Sequence, residues 1–352
     1  MEKVLLANYY RDFVCKCGEC RHPCCDGWGI NVSRKEYFSL LGMDCSEELR
    51  RHLDSAFVVE KMASEDCYAT IRPNYLGDCP MLREDGLCAL QREKGEGVLP
   101  LICRVYPRSV KVYGGRKELC TSCSCEKTLE LLLESKEKFS LIEEEFEPPF
   151  GGLEIYGDEP EKDEKRHKII EIIAGGGALK DKIASVYKIC CGEDIGAISS
   201  KEDAIKAAAG FTEVIGKKSG SIRFYAEKAV KYIRSGDASI NFEKAEKHLL
   251  SVIPHAEEFA AKAIANHVLF EGFPYNLDCE SVDTAFAAFV TACAILKFLC
   301  VCAMHDSDDI NEFIDIAAFA GRFIEHSDFY SVTSRISHPS GKDVFAKFGN
   351  IF

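Results

Sequence analysis

The sequence predicts a mainly α-helical protein, in which a cysteine-rich N-terminal module of short helices and hairpins precedes a helical C-terminal domain. Three observations predict it. Thirteen of the nineteen cysteines lie between Cys15 and Cys125; carboxylates, prolines and glycines crowd residues 143–164; and apolar residues recur at helical spacing beyond them. The expected organisation is a cysteine module at 1–142, an acidic linker or loop at 143–164 and a helical domain at 165–352.

Within the module, Ser33-Arg34-Lys35-Glu36 is a capping-box pattern that opens an apolar run through Leu41. Glu84-Asp85-Gly86 reads as a turn between Cys79-Pro80-Met81-Leu82 and Leu87-Cys88, and Gly114-Gly115 as a turn between two short extended runs. Pro148-Pro149 and Gly151-Gly152 mark the linker. Helices are then expected near 165–174, 178–190, 221–234, 241–250, 255–271, 281–304 and 309–326. Ala285 to Met304 is apolar apart from Thr291 and Lys297. Because Lys297 interrupts the run, a buried core helix is expected and no membrane span, with Cys293, Cys300 and Cys302 as core residues. Gly175-Gly176-Gly177 is expected to be a loop between helices, and His255, His267 and His305 ordinary polar positions.

A chain of 352 residues buries a core without crosslinks, so size does not explain the cysteines. The opening MEKVLLANYY lacks a basic stretch followed by an apolar one, so no secretory signal is read and a cytoplasmic setting is expected. In that reducing compartment crowded cysteines are metal ligands or redox groups more often than disulfides. The central array is Cys15-x4-Cys20-x3-Cys24-Cys25, followed by Cys79, Cys88, Cys103 and the Cys120-x2-Cys123-x-Cys125 knot. Thiolates so spaced can converge on zinc or on an iron-sulfur cluster, and spacing leaves both open. The Cys-x3-Cys-x2-Cys order of radical enzymes is missing, so radical chemistry is not expected. Cys103-Arg104-Val105-Tyr106-Pro107-Arg108 sets two guanidinium groups beside a candidate ligand, able to hold an anionic group or to neutralise a thiolate cluster.

Net charge is -13, and residues 1–125 are balanced with 18 Lys+Arg against 18 Asp+Glu, so the acidity belongs to the remainder. An acidic chain without a basic footprint argues against nucleic acid and suits a basic protein partner.

These motifs resemble the flagellin lysine-N-methylase family, within a wider group of cysteine-cluster zinc- or iron-chelating proteins. The resemblance runs from Tyr9-Tyr10-Arg11-Asp12-Phe13 and Cys24-Cys25-Asp26-Gly27-Trp28 through Cys79-Pro80-Met81-Leu82, Gly86-Leu87-Cys88, Cys103 to Arg108 and Ser122-Cys123. It continues in Asn266-His267-Val268-Leu269-Phe270 and Arg322-Phe323-Ile324-Glu325-His326-Ser327. After Ser122-Cys123 the family continues Pro-Glu, where this chain has Ser124-Cys125. The resemblance implies a methyltransferase that uses S-adenosylmethionine to modify lysines of flagellin or a similar surface protein, with a 4Fe-4S cluster; zinc is the alternative metal. It implies Cys15, Cys20, Cys24, Cys25, Cys79, Cys88, Cys103 and Cys123 as metal-ligand candidates. Arg104 and Arg108 are expected to position the cosubstrate, since no glycine-rich strand-turn-helix offers another site. No catalytic residue is assigned. The alternatives are a non-catalytic metal-binding module that recognises a partner, and electron transfer.

Overall fold

The computed structural model describes residues 1–352 apart from Leu76, Leu153, Ala197, Ser219, Asn276, His338 and Pro339. The chain forms two compact units, one made of 1–13 with 108–352 and the other of 14–107. The boundary thus differs from the expected 142/165 division. The reason is the first strand, β1 (Glu2–Ala7), which joins the sheet of the larger unit and leaves the cysteine-rich segment as an excursion from it.

The smaller unit follows the order β2 (Ile30–Val32), α1 (Arg34–Leu41), α2 (Glu47–Ala56), β3 (Phe57–Val59), β4 (Ala69–Ile71), α3 (Ala89–Lys94) and α4 (Leu101–Val105). Its three strands pair antiparallel with β4 central. Ser33 caps α1 with Glu36 returning the bond, the capping box read from the sequence. A small apolar core holds the unit together, with Val32, Leu40, Leu53, Ile71, Met81 and Leu90 buried and Cys79, Cys88 and Cys103 at its edge.

The larger unit contains β5 (Arg108–Tyr113), β6 (Arg116–Thr121), α5 (Glu126–Glu134), β7 (Leu141–Phe146) and β8 (Glu154–Tyr156). The sheet order is β7-β1-β6-β5-β8, with β5 and β6 joined by the expected Gly114-Gly115 turn. The acidic segment holds more structure than a linker: β7 pairs antiparallel with β1 from Glu2 opposite Phe146 to Ala7 opposite Leu141. Alternation explains it, since Ile142 and Phe146 pack on Val4 and Leu6 while Glu143 meets Lys3 at 3.1 Å.

Helices follow: α6 (Pro160–Ala174), α7 (Leu179–Cys191), α8 (Lys201–Lys218), α9 (Gly220–Arg234), α10 (Ala238–Val252), α11 (Ala256–Glu271), α12 (Val282–Cys302), α13 (Ile310–Glu325), α14 (Phe329–Ser337) and α15 (Gly341–Phe348). The protein is therefore mainly helical with small sheets. Gly175 closes α6 and Ala178 opens α7, so the glycine run is an interhelical loop. By length and composition α12 passes the test for a membrane span, yet it lies buried against α7 to α10 and α13 to α15. Lys297 on it pairs with Glu246 at 2.8 Å, and Cys293, Cys300 and Cys302 are buried.

Candidate functional sites

In the smaller unit, backbone pairing draws distant cysteines together. Cys79 N–H donates to Cys25 O at 2.7 Å and Gly27 N–H to Gly77 O at 2.9 Å, which lays the Cys24-Cys25 segment along residues 77–79. A bridge between Leu82 and Cys88, with Ala89 N–H on Met81 O at 2.8 Å, folds Cys88 back toward Cys79. Trp28 donates from its indole to Cys24 O at 2.7 Å and meets Tyr106 edge-on at 5.4 Å, one helical turn past Cys103. At the near end, a left-handed Cys17 turns its amide toward Cys15 Sγ at 3.4 Å. Gly86 sits at φ +75°, where a Cβ would stand 2.9 Å from Gly18 O, so the turn at 83–87 fits against residue 18 only without a side chain.

The thiols feel one another. A hydrogen bond with Cys24, then burial, pushes the Cys25 thiol up, and the charges of Cys79 and Cys88 add to this. Burial, with Cys88 and Cys24 nearby, pushes Cys79 up to about 11, and burial raises Cys88 and Cys103, each also facing Cys24. Cys15 is raised by burial and by Cys17 and Cys24. Such crowding of ionisable thiols is relieved by a cation, so the donor set suits a thiophilic metal. The arrangement is gathered but not closed: among the described residues no group of three or more His, Cys, Asp or Glu stands ready to hold a metal ion. None of the nineteen cysteines forms a disulfide among the described residues.

The remaining predicted residues lie elsewhere. Cys123 belongs to the larger unit, where it is buried and accepts from Asn266 Nδ2 at 3.2 Å. Arg104, exposed on α4, lends its charge to Glu36, whose carboxyl burial raises but which Ser33, the Leu101 amide and Arg104 together bring below its usual range. Arg108 opens β5 in the larger unit and stacks over Phe13 at 5.0 Å. The two arginines therefore stand in different units.

The larger unit holds a second site that the residue-by-residue reading missed. Tyr9 donates to Asn266 Oδ1, and Asn266 Nδ2 donates to Thr121 O at 2.8 Å. Ser122 donates to Glu325, and both Ser122 and Ser124 hydroxyls approach His326 Nε2, at 3.1 and 2.9 Å. His267 donates from Nδ1 to Glu325 Oε1 at 2.9 Å, and its Nε2 meets the Tyr330 hydroxyl at 2.6 Å. His267 is consequently not the ordinary polar position expected; it is a buried link between α11, α13 and α14. One turn further along α11, Glu271 has a buried Oε1 without a hydrogen-bond partner among the described residues. Burial pushes its carboxyl up to about 7 against the opposing pull of His267. For His267 burial works downward, but the hydrogen bond and charge of Glu325 outweigh it and raise the imidazole. A cavity of about 40 Å³ borders Cys123, His267, Gly321 and Glu325. Chemically, the cluster is a near-neutral carboxyl coupled to an imidazole, a second carboxylate and a phenol, suited to storing and passing a proton. The signal that could have found it was the group of segments singled out by family resemblance, at Tyr9, Ser122-Cys123, Asn266-His267 and Glu325-His326, which the fold brings together.

Comparison with known proteins places this geometry in context. Over 132 residues, 37% of this chain, the sequence is 27% identical to the lysine-N-methylases of Salmonella typhimurium and Salmonella choleraesuis. Over a stretch of the same length it is 26% identical to the flagellar biosynthetic protein FliU of Salmonella muenchen, 77% of which the match covers. The match spans about a third, 32%, of the length of the two lysine-N-methylases. No family model and no solved structure matches the chain.

Proposed function

We propose that this protein is an S-adenosylmethionine-dependent lysine N-methyltransferase acting on flagellin or another surface-appendage protein, with a thiolate-bound iron-sulfur cluster in its smaller unit. The observation that carries this reading is the similarity to proteins named lysine-N-methylase and to a flagellar biosynthetic protein.

The residues that would hold the cluster are drawn from Cys24, Cys25, Cys79, Cys88 and Cys103, whose thiols feel one another's charge. Bound there, the cluster would supply positive charge to the thiolates and an electron-accepting centre. In the larger unit, the reading gives the carboxyl of Glu271 the role of a base. Methyl transfer to lysine requires the neutral amine: the N–CH3 bond forms as the S–CH3 bond of the sulfonium breaks, and the amine proton must go to a base. A carboxyl titrating near 7 is matched to that role, and His267, held by Glu325 and Tyr330, faces it with its own charge.

The decisive experiment incubates anaerobically purified protein with methyl-labelled S-adenosylmethionine and flagellin from the same organism, followed by mass spectrometry of lysine. Methylated lysine together with iron and acid-labile sulfide is the expected result. Colourless protein carrying stoichiometric zinc and transferring no label would instead support a structural metal in a binding module.

A further inference from the structure

One surface of the larger unit runs against the charge of the protein. Net charge is -13, yet residues 214–234 hold six Lys or Arg and a single carboxylate, Glu227. The six lie on the end of α8 and on α9, which fold back on each other. Gly216 permits the close crossing: a Cβ there would stand 2.7 Å from the Ala226 Cβ, and Arg223 Nε donates to Gly216 O at 3.3 Å.

The cations are not all matched within the fold. Lys228 turns to Asp306 and Glu312 at 2.9 and 3.0 Å, while Lys217 and Arg234 share the one carboxylate of Glu213 at 3.1 and 2.6 Å. Lys218, Arg223 and Lys231 are exposed. Lys228 apart, five cations stand against Glu213 and Glu227, so positive charge is in excess.

Two apolar side chains stand among them that packing does not use. Phe224 is 66% exposed and Val214 53%, and both lie within a helical turn of the Gly216 crossing. Apolar groups ringed by lysine and arginine suit the headgroup layer of a bilayer. The ring enters the acyl boundary, the aliphatic stems lie along apolar surface and the charges stay with phosphates. A soluble polyanion would meet the cations and leave the ring in water.

We infer that the α8–α9 hairpin docks on a bilayer containing anionic phospholipid, with Phe224 and Val214 entering its surface and Lys217, Lys218, Arg223 and Lys231 meeting lipid phosphates. The contact is peripheral, reversible and weakened by salt. It is separate from the proposed methyl transfer and does not depend on it.

The test floats full-length protein with vesicles of phosphatidylcholine alone or mixed with an equal part of phosphatidylglycerol. Flotation with the mixed vesicles only, released by salt, is expected. Lys217→Glu/Lys218→Glu and Phe224→Ser should each lower the partition coefficient about tenfold or more in protein whose melting temperature is unchanged. No flotation with mixed vesicles, or equal flotation with phosphatidylcholine alone, overturns the inference without recourse to a variant. Binding that survives the double lysine variant overturns it as well. So does binding that needs the lysines but is undiminished in Phe224→Ser, with labelled poly-glutamate bound by the same lysines; the face would then serve an acidic protein.

Discussion

His267 donates from Nδ1 to Glu325 Oε1 at 2.9 Å, and the carboxylate that receives it has a side chain only 1% exposed. The hydrogen bond and charge of Glu325 are what hold the imidazole above its ordinary range against burial. Glu325→Gln should therefore lower the pKa of His267, measured by ¹H-¹⁵N NMR of the imidazole. It should also destabilise the fold by about 1 to 3 kcal/mol, because Ser122 and His267 lose a charged acceptor.

Glu271 has the opposite sense. Its folded-state carboxyl is pushed up to about 7 by burial, so the protonated form is favoured in the native protein. The stability this gives is present below the unfolded carboxylate range, near ~4.3, and is lost as pH rises through about 7. Urea unfolding at pH 5 and pH 8 should show native protein losing on the order of 3 kcal/mol more than Glu271→Gln over that interval. If Glu271 is the base for lysine, the same variant flattens the acid limb of the methylation rate, whose midpoint should lie near 7.

Glu118 and Arg166 form a buried ion pair, each side chain 1% exposed, with His167 on the other carboxylate oxygen at 2.8 Å. Burial raises the carboxyl of Glu118, but His167 and Arg166 outweigh it and bring it down to about 2. Its stabilisation is thus present above the unfolded carboxylate range and is lost as pH falls through about 2. Arg166→Met takes the guanidinium from Glu118 Oε2, leaving His167 and Arg116 on Oε1, and also removes the guanidinium lying 3.8 Å from the Tyr113 ring. A loss of about 3 to 5 kcal/mol in chemical denaturation is expected, with Arg166→Met/Glu118→Leu recovering part of it.

How much of this was legible in the sequence depends on what carries the signal. Helices such as α11, α12 and α13 were readable because large apolar residues recur with helical period. The unread α8 buries Ala204, Ile205, Ala208, Ala209, Thr212, Ile215 and Gly216, so its periodicity is carried by small residues that a hydrophobic pattern underweights. Strand β7 was hidden by its run of three glutamates, of which Glu143 and Glu145 form its outward face. The crowding of cysteines was visible because the residue type is rare and many of them lie at short spacing in the sequence. The second site was not, because Tyr9, Ser122, His267, Glu325 and Tyr330 are common residue types assembled from segments up to hundreds of positions apart. Cys123 illustrates the boundary: clustering together with the family resemblance made it a ligand candidate, and packing put it against Asn266 in the larger unit.

Gly321 marks how closely α13 approaches that second site. A Cβ there would stand 2.7 Å from Cys123 O and 3.0 Å from Ser124 N, both backbone atoms that cannot move aside cheaply. Gly321→Ala should cost about 1 to 3 kcal/mol, although alanine is the better helix former, because overpacking outweighs the propensity gain of about 1 kcal/mol. The melting temperature checks it.

Cysteine substitutions should separate ligands from core thiols. Cys88 and Cys103 lie at the edge of the smaller unit's core and face Cys24, whereas Cys123 and Cys293 are buried in the larger unit. Cys88→Ser and Cys103→Ser should lower the iron and sulfide content of anaerobically reconstituted protein severalfold, read by elemental analysis and by absorption from sulfur-to-iron charge transfer, with small effects on the helical signal in circular dichroism. Cys293→Ala should leave metal content at the unaltered level while lowering the melting temperature, since it opens a cavity beside α12. Cys123→Ser decides the disputed assignment. Buried beside Asn266 and pushed well above its ordinary range by burial and by Glu325, its thiol is poorly placed to ionise for a metal. Full metal content in folded Cys123→Ser protein is the expected result, and metal loss there equal to that of Cys103→Ser would return Cys123 to the ligand set.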